Sequence, residues 1–176
     1  QNVANSRKLA AYYAGKRNIP FENLIGLKCS AEEIITRSEY QKTILEPLRK
    51  QFDANGWWER KEDNQGNLRA VHTKMKFAAI IFGMPLKVKS SVSEDSKQKP
   101  STNLGPGNND AASIDSEIAC LSMNLSKLSG AAGNPYFRST DRGGIPDILL
   151  TSRIDGPNYA TAKRLIDDAI AVEGSG

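Results

Sequence analysis

The hydrophobic pattern of the chain alternates between two periods. Apolar residues recur every three or four positions in four stretches, which predicts helices at 6–17, 38–55, 113–123 and 158–173. Short apolar runs predict strands at 24–29 and 77–82, and a last strand that ends at Arg153. Because helices and strands alternate along the chain, the pattern predicts a parallel sheet with right-handed crossovers.

Turn and capping residues divide this pattern further. Ser38 and Gln41 have the spacing of a capping box at the start of the second helix. Pro47 lies inside that helix and is expected to kink it or to divide it into two segments. Residues 57–73 predict a hairpin or an irregular insertion, and the polar stretch at about 89–112 predicts a flexible loop.

These elements together predict the fold class. The 176 residues are enough for a single α/β domain with a buried core. We expect a three-layer sandwich with a mostly parallel sheet of three to four strands, in a flavodoxin-like or caspase-like arrangement. The run 77–82 is apolar on both faces, which is typical of a strand that helices cover on each side.

Charge and composition argue against several classes of function. The net charge of +4 is spread along the chain, and no basic face interleaved with aromatic residues indicates nucleic-acid binding. No apolar run is long enough to span a membrane. Cys29, Cys120 and the single His72 show neither metal-ligand spacing nor the paired groups of nucleophilic catalysis. We therefore expect no catalytic set, no metal and no cofactor in this chain.

The candidate binding residues are Asp115, Arg153, Asp155 and Lys87. Parallel α/β sheets bind ligands beyond the carboxyl ends of their strands, and Arg153 and Asp155 follow the last strand. They are predicted to line a cleft together with the segment 83–87. The alternative is structural, because Asp115 lies in the first turn of a helix and Asp155 belongs to an Asp-Gly-Pro turn. Both interpretations stay open on the sequence.

Five blocks that span most of the chain in order carry a resemblance to a known family. They are residues 6–20 (with Ala-Tyr-Tyr-Ala and Arg-Asn-Ile-Pro), 32–40, 81–88 (Ile-Phe-Gly-Met-Pro-Leu-Lys-Val), 112–117 and 151–157 (Thr-Ser-Arg-Ile-Asp-Gly-Pro). The chain resembles an uncharacterised bacterial family associated with exosortase-type protein sorting. It departs from the family pattern at 81–85, where Thr-Tyr-Gly-Val-Pro is usual. The resemblance implies an extracytoplasmic or secreted location.

A more distant resemblance concerns the last strand and helix. Residues 152–155 and 169–173 are similar to the element that closes the first, non-catalytic subdomain of gingipain-type cysteine peptidases. In those peptidases the catalytic His and Cys lie in a second subdomain, and no position here matches their motifs. The resemblance implies that the chain is the N-terminal half of a longer protein, non-catalytic alone, with a structural or partner-binding role. Its partner would be the C-terminal half or another protein. The alternative is half of a peptidase-like hydrolase, with the catalytic residues in the other half.

Overall fold

The computed structural model describes residues 2–64, 66, 68–90, 110–123 and 148–174. In these residues the chain is a mixed α/β fold with small sheets, some of them parallel. Its helices are α1 (Asn2–Arg17), α2 (Arg37–Tyr40), α3 (Glu46–Ala54), α4 (Ile114–Ala119) and α5 (Tyr159–Glu173). Its strands are β1 (Ile34–Ile35), β2 (Trp58–Glu62), β3 (Leu68–Thr73), β4 (Phe77–Ile81), β5 (Lys87–Val88), β6 (Ala112–Ser113) and β7 (Leu150–Ile154).

The parallel pair β4–β7 is the part of the fold that positions the candidate site. Its register runs from Phe77 opposite Leu150 to Ile81 opposite Ile154. Ile81 and Ile154 pack against a small hydrophobic cluster between the sheet and the helices α1 and α5. The buried members of this cluster are Leu9 of α1, Phe82 after β4, and Ala162 and Ile166 of α5. Strand β4 therefore contacts the two terminal helices, although they are far apart in the sequence.

A second, larger cluster contains the other side of β4. Ile80 is buried there together with Ile114 and Ile118 of α4. The cluster extends to the helical segment before the hairpin, and its further buried members include Tyr40, Ile44, Leu48, Phe52 and Trp57. Burial of apolar side chains of this kind stabilises a fold by about 25 cal/mol for each Å² removed from water.

The remaining strands form two small sheets. Strand β5 pairs in parallel with β1 and antiparallel with β6, so the order is β1–β5–β6. Strands β2 and β3 form an antiparallel hairpin with an irregularity between Glu59 and Arg60. The predicted hairpin is thus confirmed. In the described residues, parallel pairs occur as predicted, but they belong to separate sheets rather than to one sheet of three to four strands.

The strand predicted at 24–29 is wrong. Ile25, Leu27 and Cys29 do alternate with exposed Gly26 and Lys28, and they pack against the larger core cluster. However, this segment pairs with no strand in the described part of the chain. Alternation shows which side chains face a core, whereas a strand also needs a neighbour for its backbone hydrogen bonds.

The second predicted helix is confirmed, with a different start and a division near Pro47. Thr36 caps α2, because its Oγ1 accepts a hydrogen bond from the amide of Glu39 at 3.1 Å. The predicted capping box at Ser38 is therefore wrong, since Ser38 already lies inside α2. A π-helical turn, Gln41–Leu45, separates α2 from α3 just before Pro47, which has no amide hydrogen to donate.

The other predicted elements fall into two groups. The helices α1, α4 and α5 are confirmed, although α4 ends at Ala119 rather than at residue 123. Ser113 caps α4 and Asn158 caps α5. Helix α1 begins at Asn2, four residues before its predicted start. Of the predicted flexible loop, Ala112 belongs to β6, while residues 91–109 lie outside the described residues.

Candidate functional site

Arg153 lies near the carboxyl end of β7 and binds Asp115 of α4 through two nitrogens. Its Nε donates to both carboxylate oxygens at 3.1 Å, and its Nη2 donates to Oδ1 at 2.7 Å. The Arg153 side chain is 14% exposed and that of Asp115 is 35% exposed. This is a bidentate, charge-assisted contact, the strongest kind of hydrogen bond between these two side chains.

The same guanidinium also holds the segment that follows β4. Nη1 donates to the carbonyl of Met84 at 3.2 Å and Nη2 to that of Pro85 at 2.9 Å. Nη1 lies 3.6 Å from a carboxylate oxygen of Asp155 as well. All three nitrogens of Arg153 therefore face acceptors that the fold supplies. We call this set, Asp115, Arg153, Asp155 and the two carbonyls, the arginine clamp.

Local backbone structure places each partner of the arginine clamp. Gly83 has φ +93°, a left-handed conformation that glycine adopts readily, and it turns the chain after β4. Ser113 caps α4 and so puts Asp115 in the first turn. Asp155 accepts a hydrogen bond from the amide of Gly156 at 2.8 Å, just before a bend at Pro157 and Asn158. The structural role considered for Asp115 is thus present, whereas the predicted turn at 155–157 appears only as this bend.

The structure brings three of the four predicted binding residues together. Asp115, Arg153 and Asp155 meet in the arginine clamp. Lys87 lies on β5 opposite Ser113, with an exposed side chain, and it is not a member of the clamp. A guanidinium whose nitrogens already face carboxylates and carbonyls must give up such contacts before it can bind an anion. The clamp is therefore suited to joining β4, α4 and β7.

The structure contains a second polar cluster that the sequence did not predict. Arg37 forms an ion pair with Glu117 at 2.8 Å, and Glu117 is only 7% exposed. The guanidinium also lies 5.6 Å from the centre of the Tyr40 ring, and Tyr40 is fully buried. One signal was available. Glu117 follows Ile114 by three positions and precedes Ile118, so a charged residue lies on the inward face of its helix.

Burial shifts the pKa values of Tyr40 and of the nearby Arg49. It raises the pKa of Tyr40 far above its ordinary value, and the nearby charge of Glu117 adds to the effect. Arg49 donates from Nε to the carbonyl of Leu121 at 2.9 Å, and burial lowers the pKa of Arg49. Tyr40 therefore stays a neutral phenol, and the cluster ties the helices before the hairpin to the end of α4.

The two cysteines and the histidine lack the settings that nucleophilic catalysis needs. Burial raises the pKa of both Cys29 and Cys120, so their thiols are protonated and weakly nucleophilic near neutral pH. Cys29 contacts the sulfur of Met84 at 3.6 Å. His72 is exposed on β3. In the ranges that the structure describes, no group of three metal-binding side chains comes together. Among those same residues, no helix combines the length and the apolar character that crossing a bilayer requires.

The amino ends of the parallel strands carry an apolar surface instead. Phe77 and Leu150 face each other in the register and are 74% and 40% exposed, and Ala79, two residues along β4, is also exposed. Side chains opposite each other or two residues apart share a face of a sheet. We call Phe77, Ala79 and Leu150 the apolar patch. The expectation that β4 is covered on both faces is therefore wrong at its amino end, because α1 and α5 cover only the carboxyl end.

Comparison of the chain with models of protein families, with curated proteins and with solved structures finds no match.

Proposed function

We propose that this chain is a non-catalytic α/β half-domain that binds a protein partner and gives it structural support. In keeping with the family resemblance, we place it in an extracytoplasmic bacterial protein, with the C-terminal half or another protein as the partner. We further infer that the complete fold is a three-layer sandwich, flavodoxin-like or caspase-like, of which β4, β7 and their helices form part.

The observation that carries this proposal is the apolar patch. An aromatic side chain that is 74% exposed, next to a leucine that is 40% exposed, is costly to keep in water. Burying a phenylalanine or a leucine side chain fully is favourable by about 1.5–3 kcal/mol. Exposed apolar side chains that adjoin each other on one sheet face are typical of surfaces that bind another protein.

The arginine clamp supports the non-catalytic part of the proposal. Catalysis at strand ends needs a charged or nucleophilic group that is free to meet a substrate. Here the strand-end Arg153 is 14% exposed, and its nitrogens contact Asp115, Asp155 and two backbone carbonyls. The polar groups at this end of the sheet therefore stabilise the fold, and the surface that is open to a partner lies at the other end.

Site-specific photo-cross-linking tests the proposal. Benzoylphenylalanine replaces Phe77 in one variant and Leu165, which is 51% exposed on α5, in a matched control. We expect a cross-linked protein partner from position 77 and none from position 165, in bacterial cells that carry the natural gene. With the partner purified, Phe77→Asp should weaken binding at least about tenfold, which corresponds to about 1.4 kcal/mol. Equal cross-linking at both positions, or unchanged affinity of Phe77→Asp, would count against the proposal.

A peptidase-like hydrolase is the second candidate function. One observation favours it: the arginine clamp lies beyond the carboxyl ends of β4 and β7, where α/β sheets place their sites. In this case the clamp would line a cleft whose catalytic residues belong to a C-terminal half. The test is peptide hydrolysis by the product of the full reading frame. Activity that Asp155→Ala abolishes without loss of stability would support the hydrolase, and absence of hydrolysis would leave the half-domain proposal in place.

A further inference from the structure

The apolar patch ends at an edge of the β4–β7 sheet whose backbone groups find no partner among the described residues. Leu150 donates its amide to the carbonyl of Lys76 at 2.9 Å, and Phe82 donates to the carbonyl of Ile154 at 2.8 Å. In a parallel ladder this pattern turns residues 78, 80 and 82 toward β7. The amides and carbonyls of residues 77, 79 and 81 therefore point to the opposite edge. In the described part of the chain no strand pairs with that edge.

The two edges of the β4–β7 pair differ in their protection. On the β7 side, Leu149 donates its amide to the carbonyl of Ala119 at 2.9 Å, so α4 covers the beginning of that edge. On the β4 side, the sequence Phe-Ala-Ala-Ile-Ile contains no proline and no charge. Natural proteins protect exposed edges with prolines, charged side chains, bulges or a covering element, because an open edge is a template for pairing.

The charge next to this edge indicates what kind of segment fits it. Lys74 and Lys76 precede β4 and are both exposed. Two positive charges thus stand just before the amino end of β4, and the patch that follows them is apolar. A matching segment would place apolar side chains next to Phe77 and Ala79 and acidic side chains near the two lysines.

We propose that β4 binds its partner by strand addition. An extended, apolar segment of the partner, flanked by acidic residues, pairs with the outward amides and carbonyls of residues 77, 79 and 81. This inference rests on the proposed function and names how the partner binds. It would also extend the two-stranded parallel pair that the described residues form. Parallel sheets are almost always larger and buried on both faces, and an added strand extends the pair while its side chains cover the patch.

Amide hydrogen exchange of the full chain tests the pairing directly. The probe is a synthetic peptide of alternating valine and threonine with two aspartates at one end. In the free chain, the amides of Ala78 and Ile80 should exchange slowly and that of Ala79 quickly. On addition of the peptide, exchange at Ala79 should slow by about tenfold or more, with little change at Ala78 and Ile80. Exchange that does not slow at Ala79, or that slows equally at all three, would overturn the proposal.

Two variants separate this inference from the proposed function. Ala79→Pro removes one outward amide but keeps the patch apolar, and a proline is tolerated on an edge strand where the amide faces solvent. Phe77→Asp removes the patch but keeps the backbone. Strand addition predicts that both variants weaken binding of the peptide and of the cross-linked partner at least about tenfold, a change of about 1.4 kcal/mol.

The other combinations of results are equally informative. If Phe77→Asp loses the partner and a folded Ala79→Pro keeps it, strand addition is wrong and the proposed function stands. If neither variant changes partner binding, the proposed function fails as well. A peptide flanked by two lysines should bind at least about fivefold more weakly at low salt. If the wild-type chain dimerises and Ala79→Pro is monomeric, the edge binds a second copy of the chain, and the proposal is overturned. If Ala79→Pro does not fold, the exchange measurement on the wild-type chain decides.

Discussion

Replacement of Arg153 by methionine would show whether the arginine clamp is structural. The substitution keeps an unbranched apolar stem and removes every hydrogen bond of the guanidinium. The carbonyls of Met84 and Pro85 lose their donors, at about 1 kcal/mol each. Asp115 loses a bidentate partner, but its carboxylate is 35% exposed and can hydrate, so we assign about 1 kcal/mol to that loss. The expected fall in the free energy of unfolding is about 3 kcal/mol, at the lower end of the range for a broken buried ion pair.

Urea denaturation, followed by tryptophan fluorescence and far-ultraviolet circular dichroism, measures this change. Arg164→Met is the matched control, because Arg164 is 80% exposed and pairs with Asp168 on the surface of α5. An exposed pair of this kind contributes little, so the control should change the free energy by no more than about 0.5 kcal/mol. Arg153→Lys should lie between the two, since lysine lacks the planar fork. If Arg153→Met costs as little as the control, the clamp is not structural and the cleft interpretation gains support.

Three further predictions concern single groups. Burial raises the pKa of Tyr40, so the stability that its neutral form contributes is complete below the unfolded pKa of about 10. That stability is lost as pH rises from there. In Tyr40→Phe, the free energy of unfolding should therefore fall less steeply with rising pH above about 10. Hydrogen bonds from Lys163 and Tyr12 lower the pKa of Asp167, so its contribution to stability is present above the unfolded pKa of about 3.9. That contribution is lost as pH falls through the folded pKa. In Asp167→Asn, the free energy of unfolding should therefore fall less steeply with falling pH in this range. Thr36→Ala should cost about 1 kcal/mol in urea denaturation and Ser38→Ala less than about 0.5 kcal/mol, because Thr36 caps α2.

Periodicity predicted the helices and the longer strands β4 and β7, but it did not predict the short strands. Helix α5 has a complete apolar face, whose Ala162 and Ile166 are buried as the pattern requires. The strands β1, β5 and β6 contain two residues each, which is too short for alternation to show. They exist because residues distant in the sequence meet and pair. Hydrogen-bonded partners of this kind are a property of the fold rather than of a local pattern.

The candidate site shows the same division between local and tertiary information. Arg153 and Asp155 are neighbours in the sequence, and their position after an apolar strand predicted that they lie together. Asp115 was singled out for its place in a helix, but its contact with Arg153 depends on the packing of α4 against β7. The pair of Arg37 and Glu117 is 80 positions apart in numbering, and only a charge on an apolar helix face hinted at it.

The two ends of the β4–β7 pair have opposite chemistry, and this asymmetry is what distinguishes the functional alternatives. At the carboxyl end, where α/β enzymes place substrates, Arg153 is used to join three elements of the fold. At the amino end, Phe77 is left 74% exposed beside an edge without proline or charge. A fold that bound ligands at the first end would keep a polar group free there and would cover its apolar residues at the other. The described residues show the reverse arrangement, and it is the reason for which we propose that the partner binds at the amino end of the strands.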